Sequence, residues 1–284
     1  MKTGLIMEGG AMRGMFTCGI IDVFLEEKIE FDGAAGISAG AVFGCNLKSK
    51  QIGRGIRYNK KYCNDWRYCS IKSLIKTGDL YGVDFCYHQI PDILDPFDRK
   101  IFSENPMEFY AAATDVVTGE NLYHRCTDGG ANDMTWLRAS ASMPLASGTV
   151  EVDGHELLDG GICEAVPYDF MISEGYDRNV LIMTQPKGYR KTKFKLLPLL
   201  RIKMRKYPKI IEAMSVRHER YNKQMEKIDA EEEKGEILVI RPPESLGVRR
   251  TENNPNELER VYQIGRREAY KRIEEIRAFI RGTY

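Results

Sequence analysis

The chain has 284 residues, of which 43% are hydrophobic and 29% charged, and its formal net charge is +1. A chain of this length can bury a large core, and the small net charge gives no overall attraction to nucleic acid, so we expect a globular protein that binds none. No apolar run reaches the roughly 18 residues of a membrane-spanning helix. The seven cysteines form no C-x-x-C pair and no secretory leader is evident, which predicts free thiols and a cytoplasmic location.

The first fifty residues predict two successive units of strand, glycine turn and helix. The run "TGLIME" (3–8) predicts a strand that ends at a glycine pair, and residues 12–29 predict a helix with one apolar face. Residues 31–50 predict a second strand, a second glycine-rich turn and a second helix.

The following residues predict an irregular stretch and then a regular alternation. From 53 to 105 the chain is aromatic, with short helices expected near 53–65 and 70–77. The later predicted elements are strands at 107–117 and 120–126, a helix at 133–143, a hairpin at 149–158, a helix at 167–176, a strand at 179–184, a helix at 210–233, a strand at 236–242 and a helix at 255–280. This alternation predicts an α/β fold with a largely parallel central sheet. No linker divides the chain, so we expect one domain over 1–284, with a helical C-terminal region from about 210.

The glycine turn "EGGAMRG" (8–14) lies where the first strand meets the first helix, a natural place for an anion. A P-loop is excluded because no Gly-Lys-Ser/Thr follows. A dinucleotide site is poorly matched, since Ala11 replaces the middle glycine and the next strand does not end in an acid. Two interpretations remain: a tight turn, or an oxyanion hole formed by the N–H groups of Gly10 and Ala11.

The second glycine turn, "GISAG", places Ser38 between two glycines. Gly36 and Gly40 complete the G-x-S-x-G pattern, in which a serine occupies a sharp strand-to-helix turn called a nucleophile elbow. Such a serine needs a neighbour that accepts its proton.

The candidate proton acceptor is a carboxylate. His218 is the only histidine late enough to follow an acid in the order of an α/β-hydrolase triad, and its charged surroundings predict a solvated side chain. The motif "DGG" occurs twice. Asp128 lies in a polar loop, whereas Asp159 ends an apolar strand, where α/β active sites form. This placement favours Asp159, although a turn role remains open for both.

Metal and cofactor binding have little support in the sequence. The histidines are scattered, and none is paired with another at a spacing typical of metal ligands. We expect no metal and no cofactor.

The order of the motifs resembles the patatin-like phospholipases, especially their bacterial cytoplasmic members. "EGGAMRG" is similar to their oxyanion loop, "GISAG" to their nucleophile elbow, and "DGG" (159–161) to their catalytic aspartate motif. "ASASMPLA" (139–146) is similar to the serine-rich block that precedes this aspartate. The resemblance implies a three-layer α/β/α sandwich and hydrolysis of lipid acyl esters by a Ser-Asp dyad, without metal.

The resemblance also implies roles for individual residues. Ser38 would be the nucleophile and Asp159 the general base. The other implied site residues are Gly9, Gly10, Ala11, Arg13 and Gly14 of the oxyanion loop, Gly36 and Gly40 of the elbow, and Gly160 and Gly161 of the aspartate motif. Ala11 departs from the family, because many members have glycine there and a methyl group disfavours positive φ.

We therefore expect a serine hydrolase of the lipase or phospholipase type, acting on a lipid or acyl-ester substrate. One alternative is a patatin-fold regulatory or lipid-binding protein with little catalytic activity. Another is a phosphate- or nucleotide-binding domain that uses the 8–14 turn.

The segment 186–209 is strongly basic. Between residues 187 and 209 it has ten Lys or Arg and no Asp or Glu, with leucines interspersed. It could be a solvated connection, or a peripheral contact with an anionic membrane such as the inner face of the cell membrane. Pro198 predicts that no single helix spans it.

Overall fold

The computed structural model describes residues 1–283, within which eight strands form one sheet. The strands are Lys2–Met7 (β1), Gly33–Ile37 (β2), Glu108–Asp115 (β3), Asn121–Cys126 (β4), Val150–Val152 (β5), His155–Asp159 (β6), Tyr176–Ile182 (β7) and Ile237–Ile240 (β8). The α-helices are Met15–Glu26 (α1), Ala39–Lys48 (α2), Arg54–Tyr62 (α3), Ile71–Thr77 (α4), Arg99–Glu104 (α5), Ala131–Ser140 (α6), Tyr168–Ser173 (α7), Leu197–Lys203 (α8), Pro208–Glu233 (α9), Pro255–Lys271 (α10) and Ile273–Arg281 (α11).

Five strands of the sheet are parallel, in the order β3-β2-β1-β7-β8. The chain progresses from β1 to β2 and β3 on one side, and continues with β7 and β8 on the other. The direction of progression therefore reverses beside β1. Open α/β sheets bind ligands at such a reversal, outside the carboxyl ends of the strands, and the loops that follow β1 and β2 lie there.

Helices cover both faces of the sheet. Alternate residues of β1 point to opposite sides: Leu5 and Met7 pack with α1, α2 and α10, whereas Ile6 packs with α7 and α9. The prediction of a three-layer α/β/α sandwich with a largely parallel sheet is confirmed.

The register along β3 brings the ends of β2 and β6 together. β2 pairs with residues 108–112 of β3, β6 pairs with residues 113–115, and β4 overlaps both. A strand has only two edges, so β2 and β6 must follow one another along the edge opposite β4. Ile37 pairs with Ala112 and Asp159 with Ala113, so the residue after β2 and the last residue of β6 lie side by side.

The C-terminal helices share a core with the first helix. α1 and α10 cross so closely that a Cβ atom on Gly19 would collide with the carbonyl of Tyr262, and one on Gly265 with the carbonyl of Phe16. Beside this crossing, the hydroxyl of Tyr262 donates to Asp22 at 2.8 Å. The crossing fixes the position of the C-terminal region against the sheet.

Several elements differ from the sequence-based predictions. A π-helix over Phe85–Leu94, interrupted by Pro91, and helix α5 occupy part of the stretch expected to be irregular. The closing helix is divided at Arg272. Pro198 lies in the first turn of α8, where its missing N–H costs nothing, so it begins a short helix within the basic segment.

None of the helices within residues 1–283 combines the length and apolar content that crossing a membrane requires.

Candidate active site

Ser38 occupies the strained turn between β2 and α2. Its φ of 55° and ψ of −122° are rare for a residue with a side chain, and such strain persists only where the surroundings enforce it. The two flanking glycines permit the turn: a Cβ atom on Gly36 would collide with the backbone of Gly40, and one on Gly40 with the carbonyl of Met7. The predicted nucleophile elbow therefore has its expected shape.

The glycine loop between β1 and α1 runs beside Ser38. Gly9 and Gly10 lie after β1 and before a 3-10 helix at Ala11–Gly14, so their N–H groups lie outside helix and strand. A Cβ atom on Gly9 would lie 2.9 Å from the carbonyl oxygen of Ile37 and 3.0 Å from Cβ of Ser38. Only glycine allows the loop to approach the elbow this closely.

Ala11 has a φ of 49°, in the left-handed region that the sequence analysis expected its methyl group to disfavour. Ala11 therefore adopts a backbone conformation that is typical of glycine, although it carries a methyl group.

Gly14 has a packing role. A Cβ atom there would lie 2.6 Å from the ring of Phe43 on α2 and 3.0 Å from Cβ of Ala39. The absence of a side chain therefore lets the start of α1 pack against α2.

Asp159, the last residue of β6, is 2% exposed. Its Oδ1 accepts a hydrogen bond from the N–H of Gly161 at 2.7 Å, and its buried Oδ2 has no partner that satisfies hydrogen-bond geometry. Burial raises the pKa of Asp159, and interactions with the Ser38 hydroxyl and the Arg217 guanidinium partly offset this rise. The carboxylate thus lies beside the Ser38 side chain with one oxygen uncommitted.

The two glycines after Asp159 permit this placement. A Cβ atom on Gly160 would lie 2.5 Å from the carbonyl oxygen of Ala112, and one on Gly161 would lie 3.0 Å from Oδ1 of Asp159. The chain can therefore turn tightly over the end of β3.

The serine-rich block 139–146 joins the two candidate residues. The hydroxyl of Ser140 accepts a hydrogen bond from the N–H of Ser38 at 2.9 Å. The carbonyl of Ser142 accepts one from the N–H of Asp159, also at 2.9 Å. Both serines are buried, so this block fixes the separation of Ser38 from Asp159. The sequence alone indicated no role for this block.

An apolar cavity of about 350 Å³ opens on one side of Ser38. Its walls include Tyr58, Tyr68, Tyr81 and Tyr87 from the aromatic stretch. The volume is in the range of small-molecule sites. Part of the 53–105 stretch thus forms the cavity wall.

A smaller cavity of about 120 Å³ also borders Ser38, and its walls combine charged and apolar side chains. It brings together the predicted residues Gly9, Gly10, Ala11, Arg13, Ser38, Asp159 and Gly161. Glu8, the first residue of the motif EGGAMRG, also lines it. Among the lining residues that sequence reasoning missed are Lys191, Arg217, Tyr221 and Arg250. They come from three separate parts of the chain, so no single local motif could have indicated them.

The other candidates lie elsewhere. Asp128 is exposed and accepts a hydrogen bond from the N–H of Gly130 at 2.7 Å, which is a turn role. The prediction that His218 is solvated is wrong, because its side chain is only 12% exposed. It lies on α9 and lines neither cavity beside Ser38.

Within residues 1–283, His124, Cys126 and Asp133 form one group of potential metal ligands, and it lies outside the site. Asp133 Oδ2 accepts three backbone N–H groups of residues 127–129, and its Oδ1 lies 2.7 Å from Nε2 of His124. These contacts give Asp133 a structural role in the loop before α6.

Comparison with known proteins supports the motif-based resemblance. Among curated proteins, the uncharacterized protein YjjU of Escherichia coli is 29% identical over 65% of this chain and 52% of its own. A putative patatin-like phospholipase domain-containing protein of Caenorhabditis elegans is 26% identical over 63% of this chain and 16% of its own. Lysophospholipase nte1 of Aspergillus niger is 25% identical over 62% of this chain and 11% of its own. The chain thus spans about half of the length of the Escherichia coli relative and much less of the length of the other two.

Among solved structures, VipD from Legionella pneumophila aligns with 96% of this chain and 67% of its own at a TM-score of 0.45 and 13% identity. A domain of unknown function, DUF6363, matches residues 207–281. The profile of the patatin-like phospholipases matches residues 5–172, more than half of the sequence. The chain belongs to the patatin-like phospholipase family.

Proposed function

We propose that the protein is a serine hydrolase that cleaves acyl esters of lipids through Ser38 and Asp159. The observation that carries the proposal is the buried Asp159 carboxylate, whose free Oδ2 lies beside the strained Ser38 and below the glycine loop. The lysophospholipase relative in Aspergillus niger supports the same class of reaction.

In the proposed mechanism the Ser38 Oγ attacks the ester carbonyl and transfers its proton to Asp159. The backbone N–H groups of Gly10 and Ala11 stabilise the negative charge that develops on the carbonyl oxygen. The tetrahedral intermediate collapses, and the alcohol leaves with the proton held by Asp159. Water then attacks the acyl-enzyme and gives a proton to Asp159, and the second collapse returns that proton to Ser38 and releases the fatty acid.

The apolar cavity fits the acyl chain in this scheme. Most of its wall residues are aromatic or aliphatic, and Ser38 is one of the residues that line it. Apolar walls exclude water from the chain and add binding free energy in proportion to the area that they cover.

We also propose that the segment 186–209 brings the site to an anionic membrane. Leu196, Leu199 and Ile202 are 53%, 52% and 73% exposed, and Leu196 together with Phe194 lines the apolar cavity. Apolar side chains exposed among basic ones are typical of peripheral contact with lipid. This contact would place the entrance of the cavity against the source of its substrate.

The test compares hydrolysis of p-nitrophenyl esters and lysophospholipids by the wild type with that of three variants. Ser38→Ala and Asp159→Asn should each lower kcat/KM by at least about 10³-fold, because the two residues act as a unit. Asp128→Asn is the matched control and should retain most of the activity, since Asp128 has only a turn role.

Circular dichroism would establish that the variants are folded. An inactive, folded wild type would favour the regulatory or lipid-binding alternative. An active Asp159→Asn variant would overturn the assignment of the base.

A further inference from the structure

Four cationic side chains converge on the smaller cavity beside Ser38, and Arg250 lines the apolar cavity as well. Arg13 follows the glycine loop, Lys191 lies between β7 and α8, Arg217 lies on α9, and Arg250 lies between β8 and α10. All four line the same small cavity as Ser38 and Asp159. We call this group the cationic chamber.

The cations of the chamber lack close counterions. Within residues 1–283, no carboxylate oxygen lies within 4.0 Å of a side-chain nitrogen of any of the four. Glu8 faces the chamber, but its Oε2 accepts hydrogen bonds from the N–H and hydroxyl of Thr184, and its Oε1 accepts one from the hydroxyl of Tyr221 at 2.9 Å. Asp159 is the other carboxylate that lines the cavity, so the cations outnumber the anions.

The contacts of the chamber residues hold them in place while leaving donors free. Arg217 donates through Nε to the carbonyl of Gly161. Lys191 has its Nζ over the ring of Tyr221, 3.8 Å from the centroid, and its backbone forms two hydrogen bonds with Asn222. The Nε of Arg13 is buried and has no hydrogen-bond partner among residues 1–283. Preorganised donors without partners are suited to an incoming anion.

The electrostatics are consistent with an anion site. Burial lowers the pKa of Lys191 to about 7, and the charges of Arg217, Arg13 and Arg250 contribute to this lowering. Burial lowers the pKa of Arg217, the Asp159 carboxylate offsets part of this lowering, and the charge of Arg250 adds to it. Bringing like charges together is unfavourable, and an anion bound among them would relieve the repulsion.

We propose that Arg13, Lys191, Arg217 and Arg250 form a subsite for the head group of the substrate, which selects esters whose head group carries a phosphate with net negative charge. The inference rests on the proposed function. Ser38 lines both the chamber and the apolar cavity, so a monoacyl lipid can place its chain in the cavity, its ester at Ser38 and its phosphate in the chamber.

The proposal also gives a role to the C-terminal region. Lys191, Arg217 and Arg250 lie outside residues 5–172, and two of them lie within the region 207–281 that matches a domain of unknown function. That region would supply the wall of the active site that recognises the head group.

The test measures kcat/KM for three esters of one acyl chain, each below its critical micelle concentration: the p-nitrophenyl ester, the monoacylglycerol 3-phosphate, and the choline ester of that phosphate. We expect kcat/KM of the wild type to be at least about tenfold higher for the phosphate monoester than for its choline ester. Lys191→Met and Arg250→Gln should each lower this ratio at least about fivefold. Lys223→Met is the matched control, since Lys223 is exposed on α9 and faces neither cavity.

The outcomes separate the two proposals. A wild type that cleaves none of the three esters would refute the proposed function. Two results would refute the subsite alone, provided that the p-nitrophenyl ester is cleaved. One is a kcat/KM ratio of phosphate monoester to choline ester that is near one in the wild type. The other is a ratio that both variants leave unchanged. If inorganic phosphate inhibits cleavage of the p-nitrophenyl ester while the ratio stays near one, the chamber binds a free anion and the head-group assignment is overturned.

Discussion

Gly9 and Ala11 are two positions apart in the same loop, and they differ in the side chain that each tolerates. Gly9 has no space for a methyl group, because a Cβ atom would meet the carbonyl of Ile37 and the Cβ of Ser38. Ala11 has space, but its φ of 49° is costly for a residue with a side chain. The first constraint is steric and the second is conformational.

We therefore expect Gly9→Ala to displace the loop and to lower kcat/KM by about 10²-fold or more, the typical loss when an oxyanion donor is removed. Ala11→Gly should leave kcat/KM within a few-fold. It should change the free energy of unfolding by less than about 1 kcal/mol, because relief of the left-handed conformation is offset by the greater backbone freedom of glycine in the unfolded chain. Ester hydrolysis and urea denaturation would measure both, and a fully active Gly9→Ala would contradict the proposed role of the loop.

The protonation of Asp159 determines the pH below which the proposed reaction loses activity. Only the carboxylate can accept the Ser38 proton, so kcat/KM should fall as the pH drops below the pKa of Asp159. Burial raises that pKa from the ordinary value of an aspartate, so the midpoint of the fall should lie above about pH 4. A pH profile with the p-nitrophenyl ester would measure it, with circular dichroism to exclude acid unfolding. Constant activity down to pH 4 in the folded protein would contradict the assigned base.

Local sequence was sufficient to predict Ser38 and its two glycines, because the elbow depends only on neighbouring residues. It could not decide between Asp128 and Asp159 on turn chemistry alone, since both precede two glycines. The structure separates them by placement: Asp128 is exposed in a loop, whereas Asp159 lies at the end of a core strand next to the end of β2. The sequence already favoured Asp159 because it ends an apolar strand, whereas the strand register that places this end next to β2 is not encoded locally.

At the scale of elements, the hairpin β5–β6 positions Asp159. Its turn has φ of 51° at Asp153 and 79° at Gly154, and a type I′ turn requires positive φ at both central residues. β6 then pairs with β3 at residues 113–115 and ends at Asp159. The sequence predicted the hairpin because the turn is local, but not the pairing of β6 with β3.

We expect Gly154→Ala to lower the free energy of unfolding by about 1 kcal/mol, because alanine is disfavoured at positive φ. Nothing lies within 4 Å of the added methyl group, so the loss is conformational and not steric. Gly148→Ala is the matched control, because that site is also open and has no positive φ. It should leave stability unchanged within about 0.5 kcal/mol or raise it slightly. Urea denaturation would compare the two, and equal effects would contradict the assignment of strain to the turn.

Across the whole molecule, the family-matched residues and the C-terminal region are joined at several places, of which two lie close to the elements already described. α1 and α10 pack at the crossing of Gly19 and Gly265, and Tyr221 of α9 donates to Glu8 beside the glycine loop. These contacts support the expectation of one domain over 1–284, which stays a prediction. Such long-range contacts explain why the cationic chamber was not predicted, since its residues meet only in the folded chain.

The proposed membrane contact also belongs to the whole molecule, because it orients the cavity relative to a lipid surface. Each basic residue near an anionic surface contributes about 1 kcal/mol, and the exposed Ile202 can enter the interface. We expect vesicle co-sedimentation to rise with the fraction of anionic lipid and to weaken with salt. Arg205 and Lys206 are better sites for charge removal than Lys203, whose Nζ donates to the carbonyl of Ser147 at 3.3 Å.

The double variant Arg205→Gln/Lys206→Gln and the single variant Ile202→Ser should each reduce binding to anionic vesicles several-fold. Ile172→Ser is the matched control: Ile172 is 45% exposed on α7, and α7 ends just before β7 begins, at the edge of the sheet opposite the carboxyl ends. It should bind as the wild type does.

Equal binding to neutral and anionic vesicles would show that the basic segment does not direct the contact, and equal losses from Ile202→Ser and Ile172→Ser would show that the contact has no preferred face. A loss confined to the basic segment would place the entrance of the apolar cavity toward the lipid, since Leu196 belongs both to that segment and to the cavity wall.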